Sequence, residues 1–141
     1  MNHLQKTAQF FDAYSRHAVA DMLTLCAPDA FFRYVPLGEQ GLGPIREGAA
    51  GLWQTYMDAF PDFRTDVVWS VETTNGRVVC ETLNRGTQAK AVANIRNQGR
   101  RLETPHLFIL DFDSAGLISK ITAFWDNDTI YRQLGHTEKH D

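Results

Sequence analysis

At Phe60-Pro61-Asp62 the spacing of apolar residues changes from helical to alternating, and that switch constrains the fold more than any other feature of the chain. Upstream, Leu4, Ala8, Phe11, Tyr14, Ala18, Met22 and Leu25 recur at helical intervals, and Asp21 stands where it can cap a second short helix. Pro28 closes that region. A strand is expected over Ala30–Val35, followed by a glycine-rich loop from Pro36 to Pro44. Pro44 suits the first turn of the next helix, which carries Leu52, Tyr56 and Phe60 on one stripe with Trp53 and Met57 beside it. Downstream, period two predicts four long strands, Phe63–Thr73, Arg77–Gln88, Arg101–Phe112 and Leu117–Trp125. Asn75-Gly76 and Ser114-Ala115-Gly116 are their turn signals, and Lys90–Gly99 is irregular. A last helix is expected over Asp126–Leu134, with Gly135 as its C-cap. Helices first and antiparallel strands after them argue an α+β fold, helices packed on one face of a curved sheet.

With 141 residues the chain is one domain, expected over residues 1–135 with a loose tail at 136–141. A net charge of -3 disfavours a general nucleic-acid surface. No apolar run approaches the ~18 residues that cross a bilayer, and Met1–Phe11 lacks a secretory apolar core. Cys26 and Cys80 have no metal-like spacing and read as reduced, buried thiols of a cytoplasmic protein.

Two residues point to chemistry. His106 sits in the apolar strand Thr104-Pro105-His106-Leu107-Phe108-Ile109-Leu110. A buried imidazole needs a partner, and histidine is the side chain suited to moving protons near neutral pH. Its alternative role is a core histidine satisfied by one hydrogen bond. Glu81 shares a strand face with Val79, Leu83 and Arg85, which leaves two readings. It is a surface or structural ion-pair residue, or a carboxylate in an apolar pocket whose desolvation suits it to acid or base work. His136 and His140 are four apart but lack a third ligand, so no metal site is expected. The glycines at 38, 41, 43 and 48 match neither the dinucleotide nor the phosphate-loop pattern.

The motifs Phe60-Pro61-Asp62-Phe63, Arg85-Gly86-Thr87-Gln88, Gly99-Arg100-Arg101, Pro105-His106-Leu107-Phe108, Gly116-Leu117-Ile118, Phe124-Trp125-Asp126 and Gln133-Leu134-Gly135 occur in this order. Together they resemble the SnoaL-like polyketide cyclase family, within the nuclear transport factor 2-like superfamily that also holds ketosteroid isomerases. The resemblance implies a cone-shaped barrel, a curved, mostly antiparallel sheet wrapped around N-terminal helices and enclosing an apolar cavity. It implies metal- and cofactor-free acid–base chemistry, proton abstraction or aldol closure, on a small apolar carbonyl compound.

Carried over by residue, His106 falls at a polar cavity position and Trp125 at an aromatic wall position. Ala123 stands where the cyclases carry their acid/base aspartate, and Gln88 where they carry a histidine. Tyr34 matches the isomerases' base position, and Tyr14 lies one turn from their first-helix tyrosine position. The expected catalytic set is thus His106, Glu81 and Tyr34, with Glu81 fixing the His106 tautomer, and the expected binding walls are Trp53, Met57, Tyr14, Ala123 and Trp125. The resemblance also implies a homodimer through the outer sheet face, where Trp69 is expected. No membrane or nucleic-acid partner is expected. The alternative is a non-catalytic small-molecule-binding or dimeric interaction domain of the same fold.

Overall fold

Asn2 starts the first helix, α1 (His3–Ser15), through a reciprocal capping box in which its side chain accepts from the Gln5 amide at 2.8 Å and its own amide donates to Gln5 Oε1 at 3.0 Å. In this computed structural model, which describes residues 1–137, the helical stretch breaks at His17, whose φ of 59° is left-handed. The second helix, α2 (Val19–Thr24), therefore begins after Ala18, and Asp21 lies inside it rather than capping it. The strand β1 (Cys26–Tyr34) starts before Pro28, with a register shift between Cys26 and Phe31 that accommodates the proline. Tight turns over Val35–Gly41 and a short strand, β2 (Leu42–Pro44), replace the expected open loop.

A single π turn, Ile45–Ala49, leads into α3 (Ala50–Ala59). Four strands follow, β3 (Arg64–Glu72), β4 (Val78–Thr87), β5 (Arg101–Phe112) and β6 (Ile118–Phe124), and then α4 (Asn127–Leu134). Gly76 at φ 84° and Gly116 at φ 79° turn the two hairpins. Gly135 ends α4 in the left-handed conformation at φ 76°. The last four residues of the expected tail, with His140 among them, lie outside the described residues.

The strands form one sheet in the order β2-β1-β6-β5-β4-β3. The β1–β6 pair is parallel and the others are antiparallel. The sheet is open, with β2 and β3 as its edges, so the enclosure expected of a barrel comes from helices laid over one face. Phe10 and Phe11 of α1 are buried there, the Phe11 ring 4.9 Å from that of Phe108 on β5. Cys26 and Cys80 are buried free thiols, each pushed up to about 12 by desolvation, which makes them unreactive core residues.

Gly41 closes the turn that follows Tyr34. A Cβ there would collide with the Tyr34 carbonyl oxygen and stand 2.6 Å from Leu37 Cβ. The obstacle is partly backbone, so the turn itself must shift. Gly41→Ala is expected to cost about 1–3 kcal/mol in urea unfolding; an unchanged midpoint would contradict this packing.

Candidate functional site

The inner face of the sheet carries the candidate site. Along β4 the buried residues are Val78, Cys80, Thr82, Asn84 and Gly86, while Val79, Glu81, Leu83 and Arg85 alternate to the other face. In register, Thr82 opposes His106 and Asn84 opposes Thr104 on β5. These side chains share the face covered by the helices.

His106 is held between rings. Its imidazole stacks on Trp125 at 4.9 Å and 21° and on Phe108 at 6.0 Å. Its Nδ1 is buried with no hydrogen-bond partner. Desolvation lowers its pKa from 6.5 to about 4, with the nearby Pro105 and Thr104 carbonyls opposing the shift only in part. At neutral pH this is an uncharged imidazole. Trp125 is itself fixed: its Nε1 donates to Asn127 Oδ1 at 2.8 Å, and Asn127 Nδ2 donates to the Pro36 carbonyl at 2.8 Å.

Tyr34 meets the same indole edge-on, ring centroids 5.6 Å apart. Its hydroxyl oxygen accepts from Trp53 Nε1 at 2.7 Å, which leaves its O–H proton to be donated elsewhere. Burial raises the Tyr34 pKa and the Trp53 donor opposes this, so the phenol is protonated at neutral pH. Burial likewise holds Tyr14 protonated.

These groups line a pocket of about 110 Å³. Tyr14, Tyr34 and Phe63 form one wall, and Tyr56 and Phe60 another. Asn84, Leu102, His106 and Phe108 are its sheet side, Trp125 and Asn127 join it to α4, and Ile130, Tyr131 and Leu134 close that end. Val92, Ala93, Asn94 and Ile95 cover it from the β4–β5 connection. Gln88 ties that cover down, its Nε2 donating to the Lys90 and Ile95 carbonyls at 3.2 and 3.3 Å. The volume is close to the roughly 150 Å³ of a dry cavity that accepts benzene. There is room for one small ring.

Of the residues expected from sequence, the structure brings His106, Tyr34, Tyr14 and Trp125 together at this pocket. Trp53 and Met57 are buried in the core rather than lining it; Trp53 reaches the site through its hydrogen bond to Tyr34 and its contact with Tyr14. Ala123 is fully buried between its register partners Tyr34 and Phe108 and presents nothing to the pocket.

Glu81 is the clear correction. It lies in a row across the opposite face, Trp69–Glu81–Leu107–Phe124, so it cannot fix the His106 tautomer. Strand alternation decides this: Thr82, not Glu81, faces inward with His106. Arg85 also points outward, and its guanidinium pairs with Asp66.

Asn84 and the 92–95 cover were not singled out from sequence. The phase of Thr82 and Asn84 with Val78 and Cys80 was the available signal for Asn84. Asp126 caps α4, accepting from the Asp128 amide at 3.0 Å and the Thr129 hydroxyl at 2.7 Å, which holds its carboxyl below the usual range. Among the described residues no cluster of His, Cys, Asp and Glu side chains is arranged to hold a metal ion, and no helix is long and apolar enough to cross a membrane.

Comparison with the curated proteins finds no match. Solved structures of the same fold are numerous. IdmH, a proposed polyketide cyclase from Streptomyces antibioticus, is 26% identical over 96% of this chain and 99% of its own, with a TM-score of 0.79. AclR, a proposed hydroxylase from Streptomyces galilaeus, is 16% identical over 94% and 95% of the two chains, with a TM-score of 0.81. A proposed SnoaL-like polyketide cyclase from Jannaschia sp. CCS1 is 12% identical over 96% and 93%, with a TM-score of 0.82. A protein from Catenulispora acidiphila with a TM-score of 0.76 is described as having a ketosteroid isomerase-like fold. The sequence profile of the SnoaL-like domain matches residues 7–131, nearly the whole folded region, and the chain belongs to that family.

Proposed function

We propose that this chain is a cofactor-free acid–base enzyme acting on a small apolar carbonyl compound held in the pocket. The observation that carries the reading is His106, a half-buried neutral imidazole whose Nδ1 is buried without a partner in a mostly apolar pocket. In this mechanism the imidazole accepts a proton from the carbon next to the carbonyl, and the Tyr34 O–H donates to the carbonyl oxygen as the enolate forms. Burial makes imidazolium alone costly. The enolate created beside it offsets that cost, because opposite charges attract strongly in a dry site. In an unsaturated ketone the resulting dienolate can take the proton back from the imidazolium at its far carbon, giving isomerisation; in a compound with a second carbonyl the enolate carbon can attack it, giving ring closure.

The test is deuterium uptake by cyclohexanone in D2O, followed by NMR. Wild-type protein is expected to accelerate exchange, and His106→Gln to lose at least about 100-fold of that acceleration. Tyr34→Phe should also slow exchange, and it should cost about 1–3 kcal/mol of stability by leaving Trp53 Nε1 buried without an acceptor. The pocket lining contains no carboxylate, which favours a second reading, a binding protein without turnover. Saturable ketone binding without exchange would establish that reading and overturn the first.

A homodimer is part of the proposal. Trp69 is 42% exposed and Phe124 40% exposed at the two ends of one row on the outer sheet face, with Val71 exposed beside them. Apolar area of this kind is costly in water and is the usual mark of an association surface. Sedimentation at micromolar concentration should find a dimer, and Trp69→Glu should shift it to monomer. A wild-type monomer would contradict this.

A further inference from the structure

The inner face of β4 holds a polar group whose geometry the proposed chemistry leaves unexplained. Asn84 is buried and lines the pocket. Its Oδ1 accepts two hydrogen bonds, from Thr65 Oγ1 at 2.7 Å and from Thr82 Oγ1 at 2.8 Å. Two hydroxyls on one oxygen fix the amide plane and fill both lone pairs. The Nδ2 group makes no hydrogen bond among the described residues, although it carries two N–H donors. Thr104, opposite Asn84 in register, likewise keeps a buried hydroxyl without a partner. On a residue that lines the pocket, an unused donor is available to a ligand.

Position adds to this. His106 opposes Thr82, so Asn84 is its diagonal neighbour across the strand pair. Such neighbours stand about 7–8 Å apart. One small ring bridges that distance, with its reacting carbon at the imidazole and an oxygen at the amide.

We infer that Asn84 is a specificity-determining residue: its clamped amide donates to a second oxygen of the ligand, so the pocket selects compounds with two oxygen functions over mono-ketones. This rests on the proposed function, since it takes the pocket as the ligand site. The clamp matters because a free asparagine could turn its oxygen inward and would then repel an oxygen ligand. In the arrangement seen here both hydroxyls meet Oδ1, so Nδ2 is the side turned away from them.

The test uses two neutral probes of the same ring size, cyclohexanone and 1,4-cyclohexanedione, with binding followed by Trp fluorescence. Wild-type protein is expected to bind the dione at least tenfold more tightly than the mono-ketone. Asn84→Asp keeps the size but offers the pocket an acceptor, and it should abolish that preference. Thr82→Val releases half of the clamp without touching the ligand, and it should lose part of the preference. It serves as a second arm should the Asn84→Asp variant fail to fold. If the preference survives in both variants, the inference about Asn84 is overturned and the proposed function stands. If wild-type protein binds neither probe, both are overturned.

Discussion

Trp53→Ala should destabilise the fold by about 3–5 kcal/mol. The indole is fully buried. It meets Phe10 edge-on at 5.5 Å and Tyr14 at 6.2 Å, so its loss opens a cavity at the centre of the helix layer. Trp53→Phe separates packing from hydrogen bonding. It keeps most of the apolar contact but removes the donor to Tyr34, and it should cost only about 1 kcal/mol. The same variant frees the Tyr34 hydroxyl oxygen, so its α-proton exchange should fall more than its stability does. Denaturant unfolding of the two variants checks the ratio. Equal losses would show that the ring contributes little packing and would contradict its place in the core.

The second large effect is on acid stability. His106 is half-buried and neutral, with its pKa lowered from 6.5 to about 4 by desolvation. The unfolded chain therefore binds a proton at a higher pH than the folded one, and stability rises with pH between those two values. Read downward, acidification from about pH 6.5 to pH 4 should remove about 3 kcal/mol attributable to this one residue. His106→Gln cannot titrate and should lack that slope, becoming relatively more stable than wild type as the pH approaches 4. Parallel pH profiles for the two proteins would contradict the desolvated, neutral assignment.

The limits of sequence reading follow the same physics. The hairpins were legible because Asn75-Gly76 and the glycine at 116 mark turns with left-handed backbone, and the strands between them alternate. His106 was legible because an ionisable residue in Thr104–Leu110 is conspicuous against its apolar neighbours. The facing of β4 was not legible. The outer sheet surface is itself apolar, with Val79 and Leu83 flanking Glu81, so alternation there has little contrast. The inner face carries Thr82 and Asn84 beside Val78 and Cys80, so neither face is purely polar. Glu81 was therefore placed among the site residues and Asn84 was not. Trp53 and Met57 lie on the apolar stripe of α3 as expected, but a stripe does not distinguish a residue packed in the core from one facing a pocket. The parallel pairing of β1 with β6 joins distant segments and carries no local signal.

The measurement that tests the central claim most directly is a nitrogen-resolved NMR titration of the His106 ring, run with and without cyclohexanone. A pocket-facing neutral imidazole should stay unprotonated down to about pH 4 in the free protein, and its ring nitrogens should shift when the ketone binds. Titration near the ordinary value of 6.5, with no response to the ketone, would contradict both the desolvated state of His106 and the chemistry assigned to it.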